Sequence, residues 1–208
     1  MFRNYVFALM MICVPALGYS LDLSNWYVRG LVGYNHLSLE EIPEARIDTK
    51  AGYVVGGALG YQFTNTFRLE GELSYRNNDL DKLIVKGDDY NFDLPLVGDI
   101  SSLAYMVNAL FALPVNWTFI PYFGFGLGGR QEWGKGEGKV HTTSSERPIT
   151  IINIQERSSQ MAYQAIVGLN LLRCKNIGCG LEYHFLNAIS DRHSNHNHTL
   201  ALSCSWAF

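Results

Sequence analysis

The feature that most constrains this chain is an alternation of apolar and polar residues with a period of two, repeated along its length. It is clearest in Phe67–Arg76, FRLEGELSYR, where the large apolar residues occupy odd positions and every charged residue occupies an even position. Because successive side chains of a β-strand point to opposite faces, this spacing predicts a strand with one apolar and one charged face.

Eight segments show this alternation, and most have about the 9–11 residues that a tilted strand needs to cross a bilayer. The segments are Tyr27–Asn35, Tyr53–Phe63, Phe67–Arg76, Leu103–Leu113, Phe119–Arg130, Met161–Leu171, Cys179–Phe185 and His198–Phe208. Three links between them are short, namely Thr64–Thr66, Pro114–Asn116 and Leu172–Gly178. The links that alternate with these are long and polar, namely His36–Lys50, Asn77–Ser102, Gln131–Gln160 and Asn187–Asn197. This layout predicts an all-β fold, an eight-stranded antiparallel up-and-down transmembrane β-barrel with short periplasmic turns and long extracellular loops.

The polar faces of these segments carry the residues that we assign to the barrel lumen: Arg29, Arg68, Glu70, Glu72, Arg76, Glu182 and His184. A soluble barrel would have to bury these charges or expose the apolar faces to water, and both are costly. In a membrane the apolar faces contact lipid and the polar faces line the lumen. We expect the lumen residues to form a hydrogen-bonded plug, with an ion path or a proton relay as the alternative.

A glycine-rich stretch, PYFGFGLGGR, ends at Arg130 and matches G-x-G-x-x-G at Gly124, Gly126 and Gly129. That fingerprint indicates dinucleotide binding only between a strand and a helix, and the residues that follow show no helical period. Gly124, Gly126 and Gly128 instead share one face of a predicted strand. We predict that they give arginine and glutamate side chains of neighbouring strands room in a narrow lumen, and that Arg130 ends the strand near the outer rim.

The first twenty residues predict a secretory signal peptide, with cleavage after residue 18 or 20 and residues 21–208 forming the barrel domain. Arg3 supplies a positive start, and the apolar run Tyr5–Leu17 precedes small residues. The run is too short to span a bilayer as a helix. The net charge of -3 and the lack of a lysine- and arginine-rich block argue against a nucleic-acid partner.

The chain resembles the small outer-membrane β-barrel family, the OmpA-like and OmpX-like eight-stranded proteins and related bacterial surface antigens. The matching pieces, in order, are WYVRGLVGYN, FRLEGELSYR, PYFGFGLGGR, MAYQAIVGLNL and the ending LALSCSWAF. The resemblance implies a place in the bacterial outer membrane, surrounded by its lipid and lipopolysaccharide. It also implies insertion by periplasmic chaperones and the outer-membrane assembly machinery, with a C-terminal assembly signal at Leu200, Leu202, Trp206 and Phe208.

The segments outside the predicted strands favour a structural or interaction protein with no enzymatic activity and no cofactor. Loops 36–50, 77–102, 131–160 and 187–197 would meet a host or surface ligand, so that the protein acts as a surface antigen, an adhesin or an envelope stabiliser. A small-solute channel of porin type is the alternative, and a lipid A-modifying enzyme is a third hypothesis. Bulky Met106 and Leu110 on the lumen face favour a plugged barrel over the channel.

Three histidines, His193, His196 and His198, lie near Asp191 in SDRHSNHNH. Imidazole and carboxylate are suitable metal ligands, but residues of a polar surface loop seldom build a closed site, so we predict no metal site. The stretch also resembles the motif of outer-membrane lipid A deacylases, in which a histidine and a serine are separated by one residue. Here His193 and Ser194 are adjacent, so that motif is broken.

The predicted mature chain has three cysteines. Cys174 and Cys179 flank the predicted hairpin KNIG, and a disulfide between them is feasible in the oxidising periplasm. Cys204 falls on the predicted lipid face, where a thiol behaves as a small apolar group.

Overall fold

The computed structural model of the protein describes residues 25–39, 45–86, 91–115, 118–140, 149–189 and 195–208. The predicted signal peptide lies outside these residues and stays a prediction. Within the described ranges, no helix has the length and apolar character to cross a membrane.

The described residues form nine antiparallel strands. They are β1 (Trp26–Ser38), β2 (Ala45–Thr49), β3 (Gly52–Gln62), β4 (Phe67–Lys86), β5 (Asn91–Ala112), β6 (Ile120–Val140), β7 (Ile149–Cys174), β8 (Ile177–Ile189) and β9 (His196–Ala207). Eight of them pair in a closed ring in the order β1-β3-β4-β5-β6-β7-β8-β9, and β9 returns to β1. The short β2 pairs with β4 beyond the end of β3. The predicted eight-stranded barrel is therefore confirmed.

The ring closes between the first and last strands of the chain. β1 pairs with β9 from Tyr27 opposite Ala207 to Ser38 opposite His196. The backbone N–H of Phe208 donates to the carbonyl of Trp26 at 3.1 Å. Because each ring strand has a partner on both sides, the backbone groups at membrane depth are satisfied, as a bilayer requires.

The barrel wall separates a polar inside from an apolar outside. In β1, the alternate positions Tyr27, Arg29 and Leu31 are buried, whereas Val28 and Val32 are exposed. The exposed outer face elsewhere consists of large apolar residues such as Leu59, Leu73, Val107, Phe125, Leu127, Val167 and Leu202. Most of the buried apolar residues form three small clusters inside the barrel, among a similar number of buried polar residues. This is the arrangement expected when lipid, not water, surrounds the wall.

A ring of aromatic residues marks the periplasmic end of the wall. Consecutive ring centroids lie 4.8–5.5 Å apart along the series Trp26, Tyr61, Phe63, Phe67, Phe111 and Phe123. The short connections lie at this end, as the β7–β8 turn at Lys175 and Asn176 shows. Aromatic girdles lie at the membrane–water interface of such barrels.

Two of the predicted extracellular loops are mostly β-hairpin, which corrects the predicted strand ends. β4 and β5 stay paired up to Lys86 opposite Asn91, and β6 and β7 up to Val140 opposite Ile149. Arg130 therefore lies within β6 and does not end it. The alternation was not visible there because no lipid surrounds a hairpin beyond the membrane, so its sequence needs no continuous apolar face.

Candidate functional site

The centre of the lumen is an ion-pair network built around Arg29 of β1. Its guanidinium bonds the carboxylates of Glu70 on β4 and Glu182 on β8, and lies 3.5 Å from the carboxylate of Glu72. The Arg29 side chain is 3% exposed and the three glutamate side chains are fully buried. One arginine thus links strands on opposite sides of the barrel.

Two matching rows of residues hold the carboxylates in place. In the first row, Tyr27 on β1 lies opposite Gly60 on β3, which lies opposite Glu70 on β4. The tyrosine ring lies over the glycine, where a Cβ would collide with it, and its hydroxyl donates to Glu70 Oε1 at 2.6 Å. The missing side chain of the glycine therefore lets the phenol reach across one strand to the carboxylate.

The second row repeats this arrangement four strands further around the barrel. Tyr122 on β6, Gly168 on β7 and Glu182 on β8 lie in register. The hydroxyl of Tyr122 donates to Glu182 Oε1 at 2.6 Å, again across a glycine whose Cβ would meet the ring. Each carboxylate bonded by Arg29 therefore also accepts a phenol hydrogen bond.

Polar side chains from β5, β7 and β8 complete the network. Asn108 donates to Glu72 Oε2 at 2.8 Å, and Gln164 donates to the same oxygen at 3.3 Å. Nε2 of His184 lies 2.7 Å from Glu182 Oε2. With these contacts the network crosses the whole lumen. Charges buried at this depth are tolerated because they are paired and hydrogen-bonded.

Arg68 lies on the periplasmic side of the network. Its guanidinium carbon is 5.8 Å from the ring centre of Tyr27 and 4.6 Å from that of Tyr122, within cation–π range of both. Its Nε is 3.6 Å from Glu70 Oε1. Below it, a cavity of about 170 Å³ is lined by residues that include Gln62, Arg68, Asn170 and Ser205. The cavity forms a periplasmic vestibule that borders the network.

The extracellular half of the lumen is held mainly by amides. Asn35 donates to Asn78 at 2.6 Å and to Asn197 at 2.9 Å, and Thr199 donates to Asn35 at 2.7 Å. Arg76 lies in this half, where its only hydrogen bond within the described part of the chain goes to the hydroxyl of Ser74 at 2.9 Å. Six of the seven predicted lumen residues therefore meet in the Arg29 network, and Arg76 does not join them within ion-pair distance.

The glycines of β6 do face the lumen, but they make room for other residues than predicted. A Cβ at Gly124 would meet Leu110, one at Gly126 would meet Asn108, and one at Gly128 would meet the Met106 side chain at 2.9 Å. These residues belong to β5, the strand paired with β6. The prediction that arginine and glutamate occupy this room was wrong, because β5 has no charged residue at the positions opposite these glycines, Leu110, Asn108 and Met106.

The predicted Cys174–Cys179 disulfide does not form, and Cys179 is bonded to Cys204 instead. The register explains this pairing, because β8 and β9 place Cys179 directly opposite Cys204. Cys174 is an exposed free thiol opposite Ile177. Cys204 lies on the outer face as predicted, but it is part of a disulfide and is not a free thiol.

Two of the three predicted loop histidines are strand residues. His196 and His198 belong to β9, whereas Asp191, His193 and Ser194 lie outside the described residues. In the ranges that the structure describes, no group of three or more potential ligands is arranged to hold a metal ion.

The four residues of the predicted terminal signal lie on the outer face of the wall. Leu200, Leu202, Trp206 and Phe208 are all exposed there, and the Trp206 and Phe208 rings stack with centroids 6.1 Å apart. Their recognition by the assembly machinery stays a prediction.

Sequence reasoning missed Tyr27, Tyr122, Asn108 and Gln164 as members of the lumen network. The alternation places each of them on a lumen face, but tyrosine and uncharged amides were not counted as network residues. A tyrosine on the polar face of a predicted strand is the signal that would have identified the two rows.

The closed ring, the polar lumen and the apolar wall define a transmembrane β-barrel. The chain belongs to the outer-membrane β-barrel protein family, because the model described as "Outer membrane protein beta-barrel domain" matches residues 5–208. It is accordingly a protein of the bacterial outer membrane. No sequence among the curated proteins matches the chain.

Several solved outer-membrane proteins have a similar fold. Neisserial surface protein A shares 11% sequence identity, with a TM-score of 0.54 over 88% of this chain and 97% of that one. The Yersinia pestis attachment invasion locus protein Ail, in complex with the heparin analogue sucrose octasulfate, shares 14% identity, with a TM-score of 0.52 over 88% and 99%. OprG of Pseudomonas aeruginosa shares 11% identity, with a TM-score of 0.52 over 89% and 96%. At these identities the likeness concerns the fold alone.

Proposed function

We propose that this protein is a structural and interaction protein of the outer membrane that acts through its extracellular hairpins and not through its lumen. The observation that carries the proposal is the Arg29 network, which crosses the lumen with buried, paired side chains. A path for solutes would have to break several charge-assisted hydrogen bonds at once. The proposal assigns no catalytic residue.

The hairpins supply a surface on which a partner can bind. β7 pairs with β8 from Met161 onward, so within the described parts of the chain Ile149–Gln160 pairs with β6 on one side alone. At about 3.3 Å per residue, this free edge is roughly 40 Å long. Unpaired backbone groups along such an edge can bind an extended segment of another chain.

The charge of the β4–β5 hairpin limits the class of partner. Residues 77–102 contain six aspartates and two lysines. A polyanion, such as the heparin analogue in the Ail structure, would be repelled here. The proposed partner of this hairpin is therefore a basic surface or segment.

Two hairpin truncations test the interaction function. Residues 83–94 or residues 137–153 are replaced by an Asn-Gly turn, which joins strand ends that are already paired, Lys82 with Pro95 and Gly136 with Ile154. Bacteria displaying each variant are then compared for adhesion to cultured epithelial cells and for self-aggregation. We expect both behaviours to fall while the barrel keeps its heat-modifiable gel migration. Unchanged behaviour of both truncated, folded variants would count against the proposal.

The alternative, a small-solute channel, is favoured by one observation, the periplasmic vestibule of about 170 Å³. Single-channel conductance of the refolded protein in a planar bilayer separates the two functions. We expect no steady conductance from the native chain. A variant with Arg29→Ser, Glu70→Ser and Glu182→Ser, which removes the centre of the network, is the positive control. Steady conductance of the native chain would make the channel the better hypothesis.

A further inference from the structure

Three histidines lie together on the outer face at the extracellular end of the wall. His36 of β1 lies directly opposite His198 of β9. His196 precedes His198 by two residues on the same face of β9. The outward direction follows from the alternation, since Tyr34 and Leu200 on the same faces are exposed. We name His36, His196 and His198 the rim histidine triad.

The height of the triad can be read from the strand geometry. His36 is ten residues from Trp26, which belongs to the aromatic ring at the periplasmic interface. A tilted strand crosses the bilayer in about 9–11 residues. The triad therefore lies at the outer interface, at the depth of the lipid headgroups. The outer leaflet supplies the molecules that meet this face of the wall.

Aromatic neighbours hold two of the rings in place. Phe185 of β8 stacks on His196 at 5.6 Å and lies 5.4 Å from His198, measured between ring centroids. The hydroxyl of Tyr183 lies 2.6 Å from Nδ1 of His198, which leaves Nε2 as the ring nitrogen available to a ligand. Nδ1 of His196 is buried and has no hydrogen-bond partner within the described ranges. The rings are thus ordered. Because Nδ1 is buried in His196 and bonded in His198, Nε2 is the ring nitrogen left for a ligand in both histidines.

We propose that the rim histidine triad is an acid-responsive binding site for the phosphate of an anionic lipid in the outer leaflet. Histidine is the side chain whose charge changes most readily near physiological pH, and both ring nitrogens of an imidazolium donate hydrogen bonds. Protonation by the solvent would place up to three positive charges beside the lipid phosphates. The proposed response is the conversion of an aromatic surface into a cationic one that binds a phosphate.

The groups that face the triad are consistent with a site of this kind. On the outer faces of β1 and β8 the titratable neighbours are the phenols of Tyr34 and Tyr183, and the described part of these faces adds no carboxylate or ammonium group. On the other side of β1, Tyr53 begins the exposed face of β3, preceded by Lys50 and Asp48. Lys50 lies 3.6 Å from Asp81. Among the described residues, the imidazoles are therefore the groups of the outer face here to which the proposal assigns the charge change.

Spin-labelled lipids measure this binding directly. The protein is refolded in phosphatidylcholine vesicles that contain traces of spin-labelled phosphatidylglycerol or phosphatidylcholine, and the motionally restricted fraction is recorded at pH 7.5 and pH 5. Phosphatidylglycerol keeps one negative charge at both values. We expect its selectivity over phosphatidylcholine to rise about fivefold for each charge gained by the triad. The variant with all three histidines replaced by asparagine should show no rise.

Two further variants serve as controls for this measurement. His36→Asn alone removes one exposed ring, and it should lower the rise in selectivity if the triple variant does not fold. Met161→His places a single histidine at the same rim, and it should add at most the response of one isolated charge. A full acid response in the triple variant would locate the binding elsewhere and overturn the proposal. Loss of the native response in millimolar inorganic phosphate, at matched ionic strength, would make this a site for soluble anions and overturn its assignment to lipid.

Discussion

The strands β4–β7 pass through two regions, and the difference between them shows what shapes each part of the sequence. Within the membrane, every strand is paired on both sides, its outer face meets lipid and its inner face lines the polar lumen. Beyond the rim, the same strands form hairpins, and among the described residues Ile149–Gln160 of β7 pairs with β6 alone. The membrane region is therefore strongly constrained at every position, whereas the hairpins are constrained mainly by the ladder of backbone hydrogen bonds.

The largest expected difference concerns arginine. Replacing Arg29 by methionine leaves Glu70 and Glu182 buried without their shared cation, and we expect the free energy of unfolding to fall by about 3–5 kcal/mol. Arg157→Met in the hairpin part of β7 removes an exposed charge and should change it by less than about 0.5 kcal/mol. Urea unfolding in lipid vesicles measures both values. Equal losses would mean that the Arg29 network is not the stabilising centre of the barrel.

A second comparison places a charge on the outer face. Leu73 is 54% exposed to the surroundings of the wall and Val97 is 71% exposed on the hairpin. Leu73→Arg should destabilise the inserted barrel by about 2–4 kcal/mol, because it places a guanidinium in the hydrocarbon. Val97→Arg should be neutral because its side chain meets water. If unfolding in vesicles showed a comparable cost for Val97→Arg, the hydrocarbon of the membrane would have to extend as far as Val97.

Glycine provides a third comparison. A Cβ at Gly60 or Gly168 would collide with Tyr27 or Tyr122, whereas one at Gly134 in the hairpin would meet Ile100 at an ordinary 3.5 Å. We expect Gly60→Ala and Gly168→Ala each to cost about 1–3 kcal/mol through displaced tyrosines. Gly134→Ala should have no measurable cost. Tyrosine fluorescence would report the displacement, and an unchanged spectrum with unchanged stability would remove the proposed role of the two glycines.

The smallest effect is expected for an ion pair outside the wall. Lys50 and Asp81 lie 3.6 Å apart, with side chains 60% and 45% exposed. Exposed pairs of this kind contribute between zero and about 1 kcal/mol, so Lys50→Ala should change stability by no more than that. In added salt, the difference in the free energy of unfolding between Lys50→Ala and the native chain should stay near zero. A loss as large as that of Arg29→Met would erase the contrast between the two regions.

The sequence was sufficient to predict the wall because lipid and lumen impose opposite demands on neighbouring residues. Leu69 and Glu70 reveal their faces by type alone, and repeating that pattern eight times predicts closure. The hairpins were predicted as loops because no comparable demand acts on exposed residues such as Val97 and Lys135. The pairing of Cys179 with Cys204 and the meeting of His36 with His198 depend on the register of strands far apart in the chain. Local periodicity carries no information on that register.

The two tyrosine–glycine–glutamate rows have a consequence for the symmetry of the barrel. Because they lie four strands apart in a ring of eight, an approximate twofold axis runs along the lumen and relates one half of the wall to the other. The symmetry breaks two residues beyond the tyrosines and the glutamates of these rows. Gly124 takes the position of Arg29, and His184 takes the position of Glu72. Two copies of the first half would place Arg29, Arg68, Glu70 and Glu72 twice in the lumen, and two copies of the second half would lack both Arg29 and Arg68. The halves are unlike in charge and complementary, so a filled lumen requires one of each.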